Sequence, residues 1–215
     1  MNDIISSIGV GVNQIAIGHP FDTCLTLIQN KKKWINLPIK HYYRGYKYPL
    51  TSSIIFNCTA FPIYNRTIDY TNSGFLSGLF ASLFVAPIVF TSDVGKVKKQ
   101  TNQKIKLNDF YKSKGKIAVI ARESIAMPVY FGTYDYLKKK DVHPLIAGGA
   151  AGLSNWTMTY PIDVIKSRQI AQGFSIKQAI KYGNLWKGYP VCALRAVLVN
   201  ATNFYTYESL MKIFK

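Results

Sequence analysis

Residues 161–168 read PIDVIKSR and overlap the end of residues 144–162, a stretch that contains no charged side chain. Two similar segments stand earlier in the chain, PFDTCL at residues 20–25 and TSDVGKVK at residues 91–98. A similar segment that returns at a fixed period indicates a repeat architecture. The period is 71 and then 70 residues, measured between three acids: Asp22, Asp93 and Asp163.

A second set of motifs follows in the same order. After each acid come a basic stretch and an aromatic residue beside a base, and each unit ends with a tyrosine next to a polar residue. This order predicts three copies of a two-helix unit, at about residues 1–70, 71–142 and 143–215, within one domain covering residues 1–215. The aromatic-basic motifs are Tyr43-Arg44-Gly45, Tyr111-Lys112-Ser113 and Trp186-Lys187-Gly188, and the closing pairs are Tyr64-Asn65, Tyr134-Asp135 and Tyr207-Glu208.

Long windows without Asp, Glu, Lys or Arg predict membrane-spanning helices. There are four such windows of 18 to 20 residues, close to the roughly 20 residues that cross a bilayer core as a helix. Two further apolar stretches are interrupted, one by Arg122-Glu123 and the other by Arg195, and they bring the predicted spans to six. A soluble protein with buried helices is the alternative, which the lack of a charged helix face disfavours. The four windows are residues 4–21, 48–65, 73–92 and 144–162.

The chain of 215 residues has 27 Lys and Arg against 10 Asp and Glu, a formal charge of +17. With 48% hydrophobic residues it is too apolar for a disordered basic tail. Residues 30–47, 96–116 and 166–187 hold 19 of the 27 bases and one acid, Asp109. Six spans place these segments on one side of a membrane, as the positive-inside bias requires. Bases that alternate with membrane-length apolar windows also argue against a nucleic-acid binder.

No enzymatic or metal site is predicted. The three histidines have no nearby nucleophile at a suitable spacing, and the three cysteines show neither paired nor metal-type spacing. We therefore expect no cofactor. The first residues lack the basic region of a secretory signal, so no cleavable leader is expected. The residues concerned are His19, His41, His143, Cys24, Cys58 and Cys192.

The threefold motif resembles that of the mitochondrial carrier family, in which Pro-x-Asp/Glu-x-x-Lys/Arg occurs three times and is followed by aromatic-Lys/Arg-Gly. The resemblance covers essentially the whole chain. It implies an all-α membrane protein with six transmembrane helices in threefold pseudosymmetry. This chain departs from the motif at Thr91, which replaces proline, at Leu25, which replaces a base, and at Ile170, which replaces a glutamine. Its loops on the basic side are also short, so the surface helices there are expected to be trimmed or missing.

The resemblance implies a salt-bridge gate on the basic, matrix side. The pairs carried over are Asp22–Lys96 and Asp93–Lys166. Asp163 faces Leu25 instead of a base, so it is expected to use water, Lys166 or Arg168. Gln29 and Gln100 match the family's bracing glutamines, and prolines inside the odd helices are expected to kink them; these are Pro20 and Pro161.

At the cytoplasmic mouth, the family has an aromatic-acid-x-x-base motif at the end of each even helix. Only Tyr134-Asp135 with Lys138 matches it fully, and the expected pair between helices is Lys138–Glu208. The alternative is that Lys138 to Lys140 form only a basic cap at the membrane surface. Small residues at a four-residue step predict close helix approach; they are Gly74, Gly78 and Ser82 in one span and Gly148 and Gly152 in another.

Arg122, Glu123 and Arg195 are the expected substrate contacts. Charged groups within a span usually face a water-filled cavity, and each arginine lies 13 residues before the acid at the end of its span. At about 1.5 Å per residue both lie some 20 Å below the mouth, near the middle of the bilayer. Guanidinium groups bind carboxylate or phosphate, so an anionic or zwitterionic small molecule is expected.

Two substrate classes stay open. The Arg-acid pair resembles that of amino-acid and acylcarnitine members, whereas the compact chain with clipped loops resembles carriers encoded by giant DNA viruses, which implies nucleotide exchange of the dATP/ATP type. The sequence analysis favours nucleotides narrowly. It places the chain in the inner mitochondrial membrane, as a monomeric antiporter with cardiolipin as a candidate lipid at the aromatic-basic-Gly motifs. A leaky, channel-like carrier or a structural membrane protein is the remaining alternative.

Overall fold

The computed structural model describes residues 2–199 and residue 202, and over these residues the fold is all-α. Five helices have 23 to 29 residues, long enough to cross a bilayer at about 1.5 Å per residue. In chain order the helices are α1 Asn2–Gln29, α2 Ile39–Tyr42, α3 Lys47–Thr71, α4 Gly74–Gln100, α5 Leu107–Lys112, α6 Lys116–Lys138, α7 Pro144–Gln172, α8 Ile176–Lys181 and α9 Tyr189–Val199.

The order of the helices repeats three times as long, short, long. The short members α2, α5 and α8 have only 4, 6 and 6 residues. The surface helices on the basic side are therefore present but trimmed, because the short loops leave room for only one or two turns. The third copy is described as far as Val199, so the count of six spanning helices and the repeat limits stay predictions.

A glycine with positive φ precedes the second long helix of each repeat, which is α3, α6 or α9. Gly45 has φ of 81°, Gly115 of 114° and Gly188 of 96°, a left-handed region that side chains with a Cβ rarely adopt. The second glycine corrects the sequence analysis, which placed the second aromatic-basic motif at Tyr111-Lys112-Ser113. Tyr111 and Lys112 belong to α5, and the turn into α6 is made by Ser113-Lys114-Gly115.

Close packing joins α4 to α6. A Cβ added to Gly78 would lie 2.7 Å from the carbonyl oxygen of Met127, and one added to Gly74 would lie 2.8 Å from that of Phe131. Only glycine permits so close an approach of two helix backbones, as predicted for the first small-residue series. Around Gly148 and Gly152, in contrast, no atom of the described residues lies within 4 Å of an added Cβ, so the described part gives no support to the second series.

One helix among the described residues, α4, is both long enough and apolar enough to qualify as a candidate membrane span by composition alone. The other long helices carry more polar side chains, several of which face the cavity described below. Pro20 and Pro161 lie inside α1 and α7 without interrupting either helix, and their kinking effect stays a prediction. In α4, where Thr91 replaces the motif proline, Pro87 lies one turn earlier.

Candidate substrate site and gate

A cavity of about 130 Å³ lies where α1, α4, α6 and α7 meet. All three repeat acids line it, so residues about 70 positions apart in sequence gather around one space. Arg122 and Trp156 contribute to the same walls, and Leu25 lines it as well. The other charged residues that line the cavity are Asp22, Asp93, Lys96, Asp163 and Lys166, and these five are called the gate network below.

Two salt bridges of the gate network join different helices. The Lys96 amine lies 2.8 Å from the Asp22 carboxylate, which links α4 to α1, and the Lys166 amine lies 2.8 Å from Asp93, which links α7 to α4. Both are the pairs predicted from the motif. Their side chains are only 8 to 18% exposed, so water screens these ion pairs less than it screens surface pairs. Their action as a gate stays a prediction.

Asp163 has a base within its own helix. Its Oδ1 accepts from Lys166 at 2.7 Å, one turn along α7, and its Oδ2 accepts from the Gln29 amide at 3.4 Å. Leu25, at the position of the missing base, packs with Tyr160, Val164 and Cys192 and offers no charge. Of the two side chains expected from the sequence, Lys166 and Arg168, Asp163 therefore contacts Lys166.

Arg168 has a purely structural environment. Its guanidinium is buried and donates to four backbone carbonyls, at distances of 2.8 to 3.0 Å. These bonds hold the end of α1 against α7, α8 and the turn that follows α8. The carbonyls belong to Gln29, Ala179, Gly183 and Asn184.

Arg195 forms an ion pair with the gate network. Its Nε lies 2.5 Å from Asp22 Oδ1 and its Nη2 lies 3.3 Å from Oδ2, and its contact with the substrate stays a prediction. Asp22 thus contacts two bases, Lys96 and Arg195. The repeated motif does not predict this pair, because the motif lies on the first long helix of each repeat (α1, α4 and α7), whereas Arg195 lies on α9.

Arg122 forms an ion pair with its neighbour Glu123, whose side chain is 1% exposed. Arg122 and Arg195 each lie six residues after the first residue of their helix, so the equivalence predicted between them is retained. Arg122 lies sixteen residues before the end of α6 and lines the same cavity as the gate network. The predicted contact level therefore adjoins the gate, and its depth in the bilayer stays a prediction.

The indole of Trp156 lies against both arginines. The guanidinium carbons of Arg122 and Arg195 are 5.2 and 5.9 Å from its ring centroid, within the range of cation–π attraction. Sequence reasoning missed this residue. Trp156 precedes Asp163 by seven residues, two turns along the same helix face, and this spacing alone could have indicated that it faces the cavity.

Seven residues after its acid, each repeat has a residue that contacts a neighbouring helix. This residue is a glutamine in the first two repeats and an isoleucine in the third. Gln100 accepts from Thr26 at 2.7 Å and donates to Thr23 at 3.0 Å, which ties α4 to α1. Gln29 reaches Asp163 on α7. Ile170 instead packs in an apolar cluster with Val94 and Val97, so α4 and α7 are joined here by hydrophobic contact.

At the opposite end of the bundle, Asp135 pairs with Lys139 at 2.9 Å, one turn along the same helix. The sequence had assigned Lys138 to this network, and Lys138 is exposed at the end of α6. Its predicted partner Glu208 lies outside the described residues, as does Tyr207. Among the described residues, no salt bridge joins two helices at this end.

On the basic surface, Asp109 of α5 pairs with Lys98 of α4 at 2.8 Å. The hydrogen bond from Lys98, with a second from the Lys106 backbone, holds the pKa of Asp109 below its usual value. The single acid of the three basic segments thus fastens a surface helix to the bundle.

Sequence comparisons agree with this geometry. Residues 140–215 match the profile described as Mitochondrial carrier protein. Solute carrier family 25 member 45 from Mus musculus is 24% identical, over 95% of this chain and 96% of the relative. The chain is similar to mitochondrial carriers over nearly its whole length. This carrier is also similar to the mitochondrial arginine transporter BAC2 of Arabidopsis thaliana, at 26% identity over 94% and 88% of the two chains, and to the mitochondrial basic amino acids transporter of Bos taurus, at 25% over 95% and 89%.

The matched profile and these relatives are those of mitochondrial carriers, which agrees with the prediction of a membrane transporter. The alignment with the Mus musculus relative extends over 280 positions, whereas this carrier has only 215 residues, so the relative contains segments that are missing here. That difference agrees with the trimmed surface helices. The predicted nucleotide substrate and viral source receive no support from these relatives.

Proposed function

We propose that this carrier exchanges amino acids, with a preference for basic ones, across the inner mitochondrial membrane. The observation that carries the proposal is the balance of charge at the cavity. Three bases and three acids line it, and one further base and one further acid pair with them, so the site has no excess of positive charge to attract a polyanion. The bases are Lys96, Lys166, Arg122 and Arg195, and the acids are Asp22, Asp93, Asp163 and Glu123.

A balanced site suits a molecule that carries both charges. The carboxylate of an amino acid can replace Glu123 at the Arg122 guanidinium, which binds carboxylates in bidentate fashion. Its ammonium group can then bind a carboxylate of the cavity wall. Trp156 supports this arrangement, since its ring face holds the Arg122 guanidinium in place and leaves it little freedom to be lost on binding. The names of two relatives, an arginine transporter and a basic amino acids transporter, support the same class.

Nucleotides, which the sequence analysis favoured, fit this arrangement less well. The phosphates of a nucleotide need several free cations at short range. In this state Lys96, Lys166 and Arg195 each contact a carboxylate within 2.8 Å. A phosphate chain would therefore approach as many acids as bases, and the acids would repel it.

The gate network is closed toward the basic side, so we assign the structure to the state that opens at the opposite mouth. Substrate that enters there reaches Arg122 directly above the salt bridges. Breaking charge pairs with low exposure is costly unless new contacts replace them. Coupling of gate opening to substrate binding is therefore expected, and it favours exchange over free leak.

Uptake into proteoliposomes tests the proposal. Purified carrier is reconstituted, and uptake of radiolabelled arginine, lysine, dATP, ADP and carnitine is measured into vesicles with and without the same solute inside. We expect counter-substrate-dependent uptake of the basic amino acids. Uptake of dATP or ADP alone would overturn the substrate assignment, and equal uptake into empty vesicles would reject exchange.

Arg122→Ala tests the contact itself. We expect it to lower exchange at least about 100-fold, because each good charge-assisted contact contributes several kcal/mol at a desolvated site. It also leaves the Glu123 carboxylate buried without its partner, which destabilises the fold. The matched control is therefore the double variant Arg122→Ala/Glu123→Gln, which removes this buried charge. If exchange by either variant equals that of the wild type while the protein stays folded, Arg122 does not bind substrate.

A further inference from the structure

The salt bridges of the cavity divide into two groups of opposite net charge. On one side Asp22 is shared by two bases, Lys96 and Arg195. On the other side Lys166 is shared by two acids, Asp93 and Asp163. The two groups together are neutral, but the first carries one unneutralised positive charge and the second one unneutralised negative charge.

The excess negative charge follows from one substitution in the repeat. Leu25 stands where the first copy of the motif would bring a base to Asp163 of the third copy, and its side chain lines the cavity. One turn further along α1, on the same face, Gln29 offers Asp163 Oδ2 a neutral amide donor at 3.4 Å, a long hydrogen bond. Asp163 therefore retains an oxygen able to accept a cation.

The other bases near Asp163 have carboxylate or carbonyl partners of their own. Arg122 lines the same cavity and acts on Asp163 through its charge, but its ion pair is with Glu123. Arg195 is held by both oxygens of Asp22. Arg168, five residues along α7, donates to four backbone carbonyls and faces away from Asp163. Lys166 already bridges two acids and can neutralise only one charge.

We infer that the cationic side chain of the substrate completes the salt-bridge ring, by binding Asp163 in the place that Leu25 leaves without a base. This inference rests on the proposed function and deepens it, because it names the residues that select a basic amino acid over a neutral one. Asp163 and Leu25 are then specificity-determining residues. The gate reaches full charge pairing only with a cationic substrate in the cavity.

Arginine and citrulline form the decisive substrate pair, because citrulline has nearly the same shape but a neutral side chain. Exchange of each is measured in proteoliposomes for the wild type, Leu25→Lys and Asp163→Asn, with Leu25→Met as a control of similar volume. The wild type is expected to prefer arginine at least tenfold. Leu25→Lys supplies the base from the protein, and Asp163→Asn removes the acid, so each should lower the arginine-to-citrulline ratio at least fivefold, while Leu25→Met keeps the wild-type ratio.

The outcomes separate this inference from the proposed function. If the wild type transports no amino acid, the proposed function fails. If it transports both amino acids but Leu25→Lys and Asp163→Asn keep the wild-type ratio, exchange stands and the inference is overturned. If Leu25→Lys does not fold, as judged by thermal unfolding, the ratio of Asp163→Asn alone decides. A ratio lowered equally by Leu25→Met would also overturn it, since that change adds no charge.

Discussion

The two ends of the helix bundle are held together by different forces. At the basic end, salt bridges and glutamine hydrogen bonds run between helices, with Asp22–Lys96 and Asp93–Lys166 at 2.8 Å. At the opposite end, the described ion pair, Asp135–Lys139, stays within one helix, and α4 meets α6 through glycine. Salt bridges between helices therefore join the basic end, whereas close backbone contact at glycines joins α4 to α6 at the opposite end.

This difference matters because the two forces respond differently to substrate. A salt bridge in a cavity can exchange its partner for a charged substrate, since the free energy of the pair is recovered in the new contact. A close contact between two helix backbones contains no charged group whose partner a substrate could replace. The α4–α6 contact is therefore expected to move as one unit, while the gate network changes partners.

The largest effect is expected from Asp22→Asn at the basic end. This change leaves Lys96 and Arg195 side by side without their shared acid, which should lower the free energy of unfolding by about 3 kcal/mol. Loss of the gate should also raise uptake into empty vesicles. Thermal unfolding and vesicle uptake measure the two effects, and the double variant Asp22→Asn/Arg195→Gln should recover part of the stability. Unchanged stability in Asp22→Asn would mean that charge does not close this end.

A smaller effect is expected from Gly78→Ala at the opposite end. The new Cβ would lie 2.7 Å from the Met127 carbonyl oxygen, so α4 and α6 must separate, at a cost of about 1–3 kcal/mol. Gly152→Ala is the matched control, because no described atom lies within 4 Å of its Cβ and alanine favours the helix by up to about 1 kcal/mol. Thermal unfolding of the two variants should shift in opposite directions. Equal shifts would remove the contrast between the ends.

The smallest effect is expected from Lys139→Ala. Its side chain is 64% exposed, and an exposed pair within one helix contributes less than about 0.5 kcal/mol. Thermal unfolding and exchange rates should both remain near the wild-type values. A large loss of exchange would show that this end also depends on charge, through partners of Asp135 or Lys139 that the sequence motif did not predict.

The fold class was predictable because the motif occurs three times. Asp22, Asp93 and Asp163 at nearly equal spacing predict equivalent helix positions, and the carried-over partners Lys96 and Lys166 lie at contact distance. The second aromatic-basic motif was misplaced by two residues. Short stretches rich in Tyr, Lys and Ser offer several matches, and only the positive φ of Gly115 identifies the turn.

The candidate site was predictable only in part. Arg122 and Glu123 were recognised as charges within an apolar stretch, and they line or adjoin the cavity. The pairing of Arg195 with Asp22 joins positions 173 residues apart and follows no repeat rule. Trp156 has no charge to distinguish it from an ordinary apolar residue of a span, so its contact with both arginines was not predicted.

By itself, the sequence determined that this carrier is built of apolar helices with basic connections on one side, and that one of its three repeats lacks a base. The spacing of apolar and charged residues carries that information, because the length and the exposed face of a single helix depend only on residues close together in sequence. Only the tertiary structure decided which base each acid contacts. Several cations are within reach of each carboxylate once the helices converge, and the choice among them depends on distances that no single helix contains.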